Sequence, residues 1–206
     1  MTRPQDKIHL QHEGPAMTPY LISGPAAEPL TLAEAKAWLR LDTADEDDLV
    51  TALIVSARLM VEAATRRALI TQTWRLVYDA WPALPLRLRP APVQSVAAVR
   101  TYDITNIAAP LAPASYWLDA SPNAARLIFI TPPPPPGRAS AGIEIDVTAG
   151  YGAAASAVPE PLRQAARMLV AHWFEARGDT GAAPALEHLP APAAALIAPF
   201  RSVRLA

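Results

Sequence analysis

The sequence predicts an α+β fold: a small helical bundle interrupted by an inserted antiparallel β domain. Three observations support it. Apolar residues recur at spacings of three and four up to about Leu69, the period shortens to two from Thr71 onward, and helical spacing returns after Pro159. Neither helical stretch can bury its apolar stripe alone, so the two are expected to pack on each other across the strand block. The expected divisions are a flexible N-terminal arm (1–29), a first helical part (30–70), the β domain (71–152), a second helical part (153–195) and a C-terminal tail (196–206).

The arm is rich in proline, glycine and short polar residues and has no period. Thr31-Leu32-Ala33-Glu34 then has capping-box spacing, which opens a helix over Leu32 to Leu39 with Leu32, Ala35, Trp38 and Leu39 available for its buried side. The acidic run Asp45-Glu46-Asp47-Asp48 opens a longer helix to about Leu69, because carboxylates are favoured by the free amides and dipole of a first turn. Leu49, Leu53, Ala57, Met60 and Ala64 form its stripe, widened by Val50, Ile54 and Val61.

In the β block Trp74, Leu76 and Tyr78 alternate with Arg75 and Val77. Leu84, Leu86 and Leu88 alternate with Arg87 and Arg89, and Ile143, Ile145 and Val147 alternate with Glu144, Asp146 and Thr148. Further strands are expected at Val93 to Tyr102, Tyr116 to Leu118 and Arg126 to Ile130. One wet face per strand marks an antiparallel sheet. The prolines fall between strands, and the run Pro132–Pro136 reads as a stiff hairpin loop. After Pro159 and Pro161, residues Leu162, Ala165, Ala166, Leu169 and Trp173 form an amphipathic stripe. Residues 179–195 read as loop with a turn of helix.

Composition narrows the function classes. The hydrophobic set makes up 51% of the 206 residues and charged residues only 18%, so a core can form. A formal net charge of -1 gives no global field for nucleic acid. All basic residues except Lys7 and Lys36 are arginines, whose rigid fork suits paired contacts at protein interfaces. The chain has no cysteine, which excludes disulfides, thiolate metal sites and a thiol nucleophile. No apolar run reaches the ~18 residues of a membrane helix, so no membrane partner is expected.

No phosphate loop, GxGxxG, HExxH, GxSxG or calcium-loop pattern occurs, and neither cofactor nor metal is expected. His9 and His12 lie in the arm, and His172 beside Trp173 and Phe174 reads as a histidine at the core edge. Four adjacent carboxylates on a helix point in different directions, so Asp45 to Asp48 read as helix capping and not as a metal cage. Glu144 and Asp146 share one strand face, and a carboxylate pair could hydrolyse a glycoside; a solvated face is the plainer reading. Arg87 and Arg89 also share a face that could meet phosphate or a partner's acidic surface. Trp117 is a candidate interface anchor, and Arg163 and Arg167 are candidates for pairing across a subunit boundary. Phe200, Val203 and Leu205 are costly to leave wet at a chain end, so with Arg201 and Arg204 they are expected to dock in a groove supplied by another molecule.

The stretches Pro29 to Arg40, Asp45 to Val50 and Glu62 to Arg67 resemble phage head-tail connector proteins of the gp6-like and phiE125 gp8-like families. So do Val147-Thr148-Ala149-Gly150-Tyr151-Gly152, Val158 to Ala165, His172-Trp173-Phe174-Glu175-Ala176-Arg177 and Pro199-Phe200-Arg201. Their order and separation, spanning nearly all of residues 29–206, carry the resemblance; each piece alone is generic. The long arm and the proline run depart from the pattern.

The resemblance implies a non-catalytic adaptor of tailed phages or gene transfer agents, assembled in the cytoplasm and residing in the particle's neck. It implies a ring of twelve copies that joins the portal protein to the next neck or tail component, with DNA passing through the lumen without specific binding. The tail would then dock on the portal or an adjacent subunit. A small hydrolase and a regulatory protein-binding module are the alternatives.

Overall fold

The computed structural model describes residues 17–176 and 189–201. Helix α1 (Leu32–Leu39) begins as its capping box requires: the Thr31 hydroxyl accepts from the Glu34 amide at 3.2 Å while the Thr31 amide donates to the Glu34 carboxylate at 2.9 Å. It ends at Arg40 in the left-handed region. Helix α2 (Asp47–Thr65) has Asp47 and Asp48 in its first turn and stops at Arg66, also left-handed at φ 55, four residues earlier than the apolar pattern suggests. Helix α3 (Glu160–Glu175) has Pro161 in its first turn, and α4 (Ala191–Ile197) has Pro192 in the same place.

These helices share one core. Val50, Ile54, Ala57 and Val61 of α2 meet Leu162, Ala165, Leu169 and Val170 of α3, and Ala193 and Ile197 of α4 close the cluster. The centre of the α2 stripe is therefore Val50, Ile54, Ala57 and Val61. Leu49 is exposed and Leu53, Met60 and Ala64 only flank it. Trp38, expected on the buried side of α1, is also exposed. Both cases have one cause: apolar spacing allows a face about 100° wide, and the position of the partner helix decides which edge of it stays wet.

The strand block contains two antiparallel sheets. The five-stranded sheet has the order β1-β2-β8-β4-β5, with β1 Met17–Ser23, β2 Gln72–Tyr78, β4 Val93–Tyr102, β5 Ala108–Pro110 and β8 Ile143–Ala149. The smaller sheet, β3-β7-β6, is formed by β3 Leu86–Arg87, β7 Arg126–Phe129 and β6 Tyr116–Asp119. Leu76, Val99, Ile143, Ile145 and Val147 of the first face Leu86, Leu127 and Phe129 of the second, forming a core separate from that of the helices. This separate core supports the division at residues 71–152 as a proposal. Joining residue 70 to residue 157 by a short glycine linker is expected to leave helical circular dichroism and dispersed amide NMR signals.

Two expectations are corrected. The arm is not aperiodic throughout, because Met17–Ser23 pairs with β2 as an edge strand. Its prolines and lack of alternation hide it, yet an edge strand needs only one bonded side. The strand at Leu84–Leu88 shrinks to two residues beside Pro85 and Pro90. The proline run is the β7–β8 loop, and its Pro134 carbonyl accepts from the Trp81 indole at 2.8 Å. At the seam between block and bundle, Gly150 has φ +132, and a Cβ there would come within 2.5 Å of the Ile70 carbonyl oxygen.

Candidate functional site

The carboxylate pair lies on the face of the large sheet opposite the β core, and it is covered rather than solvated as expected, with Asp146 only 7% exposed. Asp146 accepts from Arg75 at 2.7 and 3.0 Å and from Arg100 at 2.7 Å, and Glu144 lies 3.4 Å from Arg75. Burial alone would raise the Asp146 carboxyl, but the hydrogen bonds and charges of the two arginines outweigh it and hold it below its ordinary value. With their oxygens engaged by arginines of the neighbouring strands, Glu144 and Asp146 form an ion-pair lattice that ties β2, β8 and β4 together. Since the folded value lies below the ordinary 3.8, the stabilisation is present above about that pH and is lost as pH falls through the folded value. Asp146→Asn should therefore flatten the acid limb of a melting-temperature profile below pH 4 and lower stability at neutral pH.

The other candidate arginines also have partners within the chain. Arg163 donates to the Pro29 carbonyl at 3.0 Å, to Glu34 at 2.6 Å and to Glu160 at 2.9 Å, while Arg167 bonds Glu160 and Gln164. Both side chains are largely covered, so the forks expected to cross a subunit boundary tie α3 to the start of α1. Glu160 is held below its usual range, first by the Arg167 hydrogen bond. His172 is exposed on α3, not at the core edge, and His9, His12 and His188 lie outside the described residues. Among the described residues no group of three or more potential ligands could hold a metal. No described helix is long and apolar enough to cross a membrane.

Trp117 on β6 is 52% exposed, whereas its neighbours Tyr116 and Leu118 pack against the β core. Strand alternation places the indole outside, as an interface anchor requires.

The tail departs most from expectation. Leu196 and Ile197 belong to α4, and Ile197 is 1% exposed within the helical core. Phe200 follows in a 3-10 turn (Ala198–Phe200) and packs against that core, so its lack of a groove on its own chain is corrected. Pro199 fits the first positions of that 3-10 turn. Arg201 is exposed, and Val203, Arg204 and Leu205 lie outside the described residues.

Arg67 fixes this end of the fold. It is 7% exposed, and its guanidinium donates to the Phe200 carbonyl at 2.9 Å, the Pro122 carbonyl at 3.2 Å, the Tyr151 hydroxyl at 3.1 Å and the Asn123 side chain. It also lies 5.8 Å from the Phe200 ring centroid. One side chain thus joins the end of α2, the β6–β7 turn, the residue after Gly150 and the tail. Burial raises the Tyr151 phenol, with Arg67 acting against that rise. The sequence contains a hint of this in Arg66-Arg67, but not the residues that converge on it. Beside Arg67, the residues Arg66, Arg87, Arg89 and Asn123 line a single pocket.

Comparison with known proteins gives a consistent picture. The family model described as head completion protein matches residues 28–183. Among solved structures, a chain from the neck of an empty GTA particle computed with C6 symmetry is 33% identical, with a TM-score of 0.76, covering 92% of this chain and 97% of that one. A chain from the virion of a native gene transfer agent particle is 31% identical at a TM-score of 0.77, and one from a native GTA neck computed with C12 symmetry is 30% identical at 0.70, both with the same coverage. No curated protein matches the chain.

Proposed function

Because the chain belongs to the head completion protein family, we propose that it forms a ring of twelve copies in a particle neck, between the portal and the next neck or tail component. The protein is a structural head-tail adaptor of a phage-like particle and resides in its neck. The observation that carries this is the likeness at 33% identity to a neck chain over 97% of that chain's length. The α+β architecture agrees with the role, since two side-chain lattices, Arg75/Arg100/Asp146 and Arg163/Arg167/Glu34/Glu160, stiffen it without leaving a reactive pair. A subunit that must hold its shape in a ring benefits from such cross-bracing. A near-neutral chain also suits a lumen through which DNA passes without specific binding.

In this reading the portal or an adjacent subunit receives the end of the tail, Arg201 with Val203, Arg204 and Leu205, while Phe200 belongs to the adaptor's own core. Deleting residues 202–206 is expected to leave the melting temperature unchanged and to abolish co-purification with co-expressed portal. Retained co-purification would move the contact elsewhere. Trp117 is proposed as a subunit contact: Trp117→Ala should change stability by no more than about 0.5 kcal/mol, as for exposed sites generally, while weakening ring formation.

Free protein at micromolar concentration should run as a monomer or weak oligomer in size exclusion with light scattering, and as a ring when portal is present. The association cost falls when a template orders the subunits.

A further inference from the structure

We propose that the arginine pocket at the C-terminal end of α2 is a subunit contact, and that its occupant is the acidic N-terminal end of α2 in a second copy of this chain. The pocket is lined by Arg66, Arg67, Arg87 and Arg89, and none of its lining residues is acidic. Arg67, which anchors it, is saturated by neutral oxygens only, so its positive charge is not cancelled by a carboxylate on its own fork. Arg66 and Arg87 are exposed. Arg87 also stands opposite Arg126 in the β3–β7 ladder, and Arg126 is already taken by Asp119 at 2.7 Å. Arg66 and Arg87, both exposed at the mouth of this pocket beside the covered Arg67 charge, favour an anionic group reaching in from another molecule, where two forks can engage carboxylate oxygens.

The complementary charge lies on the same chain but out of its own reach. Asp47 is taken by Lys36 at 2.5 Å, whereas Asp42, Asp45 and Asp48 are exposed around the start of α2. The helix has 19 residues, which at its rise per residue separates the two ends by roughly 28 Å, too far for side chains of one copy to meet. Unlike surfaces at opposite ends of one rigid element are what a head-to-tail contact requires if a ring is to close. This deepens the ring reading above and rests on it. Duplex DNA is the less favoured occupant, because the chain has no excess of basic residues to follow a backbone.

The absence of native cysteine makes engineered thiols unique. Necks assembled with the full chain carrying both Asp45→Cys and Arg87→Cys, both exposed positions, would be treated with a short bismaleimide and run on denaturing gels. A ladder of dimers, trimers and higher species is expected, with only monomer from either single variant. Monomer alone from the double variant, in necks where electron microscopy shows the ring, overturns this contact and leaves the adaptor function standing. Necks built with the parent chain that show no ring would remove both. Binding of a labelled DNA duplex that is lost in Arg66→Glu/Arg87→Glu, together with no ladder, assigns the pocket to phosphate and overturns the proposal.

Discussion

Arg67→Ala is expected to cost about 3 kcal/mol of folding stability, the upper end of what a buried hydrogen-bonded charged group supplies. Its removal leaves the half-buried Phe200 carbonyl without its donor, and it frees that segment, the exposed Pro122–Asn123 turn and Tyr151 from the end of α2. In a chain of this size that corresponds to a fall of roughly 6–12 °C in melting temperature by calorimetry. Arg67→Lys should recover only part of it, since an ammonium cannot reproduce a planar fork spread over four acceptors. A variant that melts within 2 °C of the parent would mean that the seam is wet and that Arg67 does not organise it.

Ile197→Ala should be comparably severe, at about 3 kcal/mol, because removing a fully buried branched side chain leaves a cavity between α4 and α3. The contrast with deletion of residues 202–206 is the informative part. The first damages the free protein, and the second should be silent in the free protein and visible only with a partner. Were Ile197→Ala tolerated with little loss, α4 would be an appendage of the bundle and the tail would begin before it.

Where local chemistry decides, the sequence was readable. The capping box at Thr31 and Glu34 fixed the first residue of α1, and the alternation of Ile143, Ile145 and Val147 with Glu144, Asp146 and Thr148 marked β8. Strand β1 escaped notice because an edge strand with Pro19 and consecutive exposed Tyr20, Leu21 and Ile22 has no alternation to detect. Helix α4 showed only as a turn of helix before residue 195, because Pro192 and Pro199 bracket an alanine-rich stretch with too few large apolar residues to show a period. The cost of exposing Phe200 is legible in the sequence, but what covers it depends on tertiary contacts. The same limit applies to the sites. Arg163 and Arg167 were legible as a pair, yet Glu34, which engages Arg163, is distant in sequence. The arginine pocket draws on a helix end, a short strand and a turn, so the Arg66-Arg67 pair and the Arg87 and Arg89 alternation hint at it without showing that they meet.

The central claim is that this chain builds the adaptor ring of a particle neck. Its most direct measurement is electron cryomicroscopy of particles from cells with and without the intact gene, reconstructed around the neck. The expected result is a ring of this fold between portal and tail in the first sample, with its α2 and α3 helices resolved, and portals lacking both that ring and an attached tail in the second. Necks that are identical in the two samples would contradict the account.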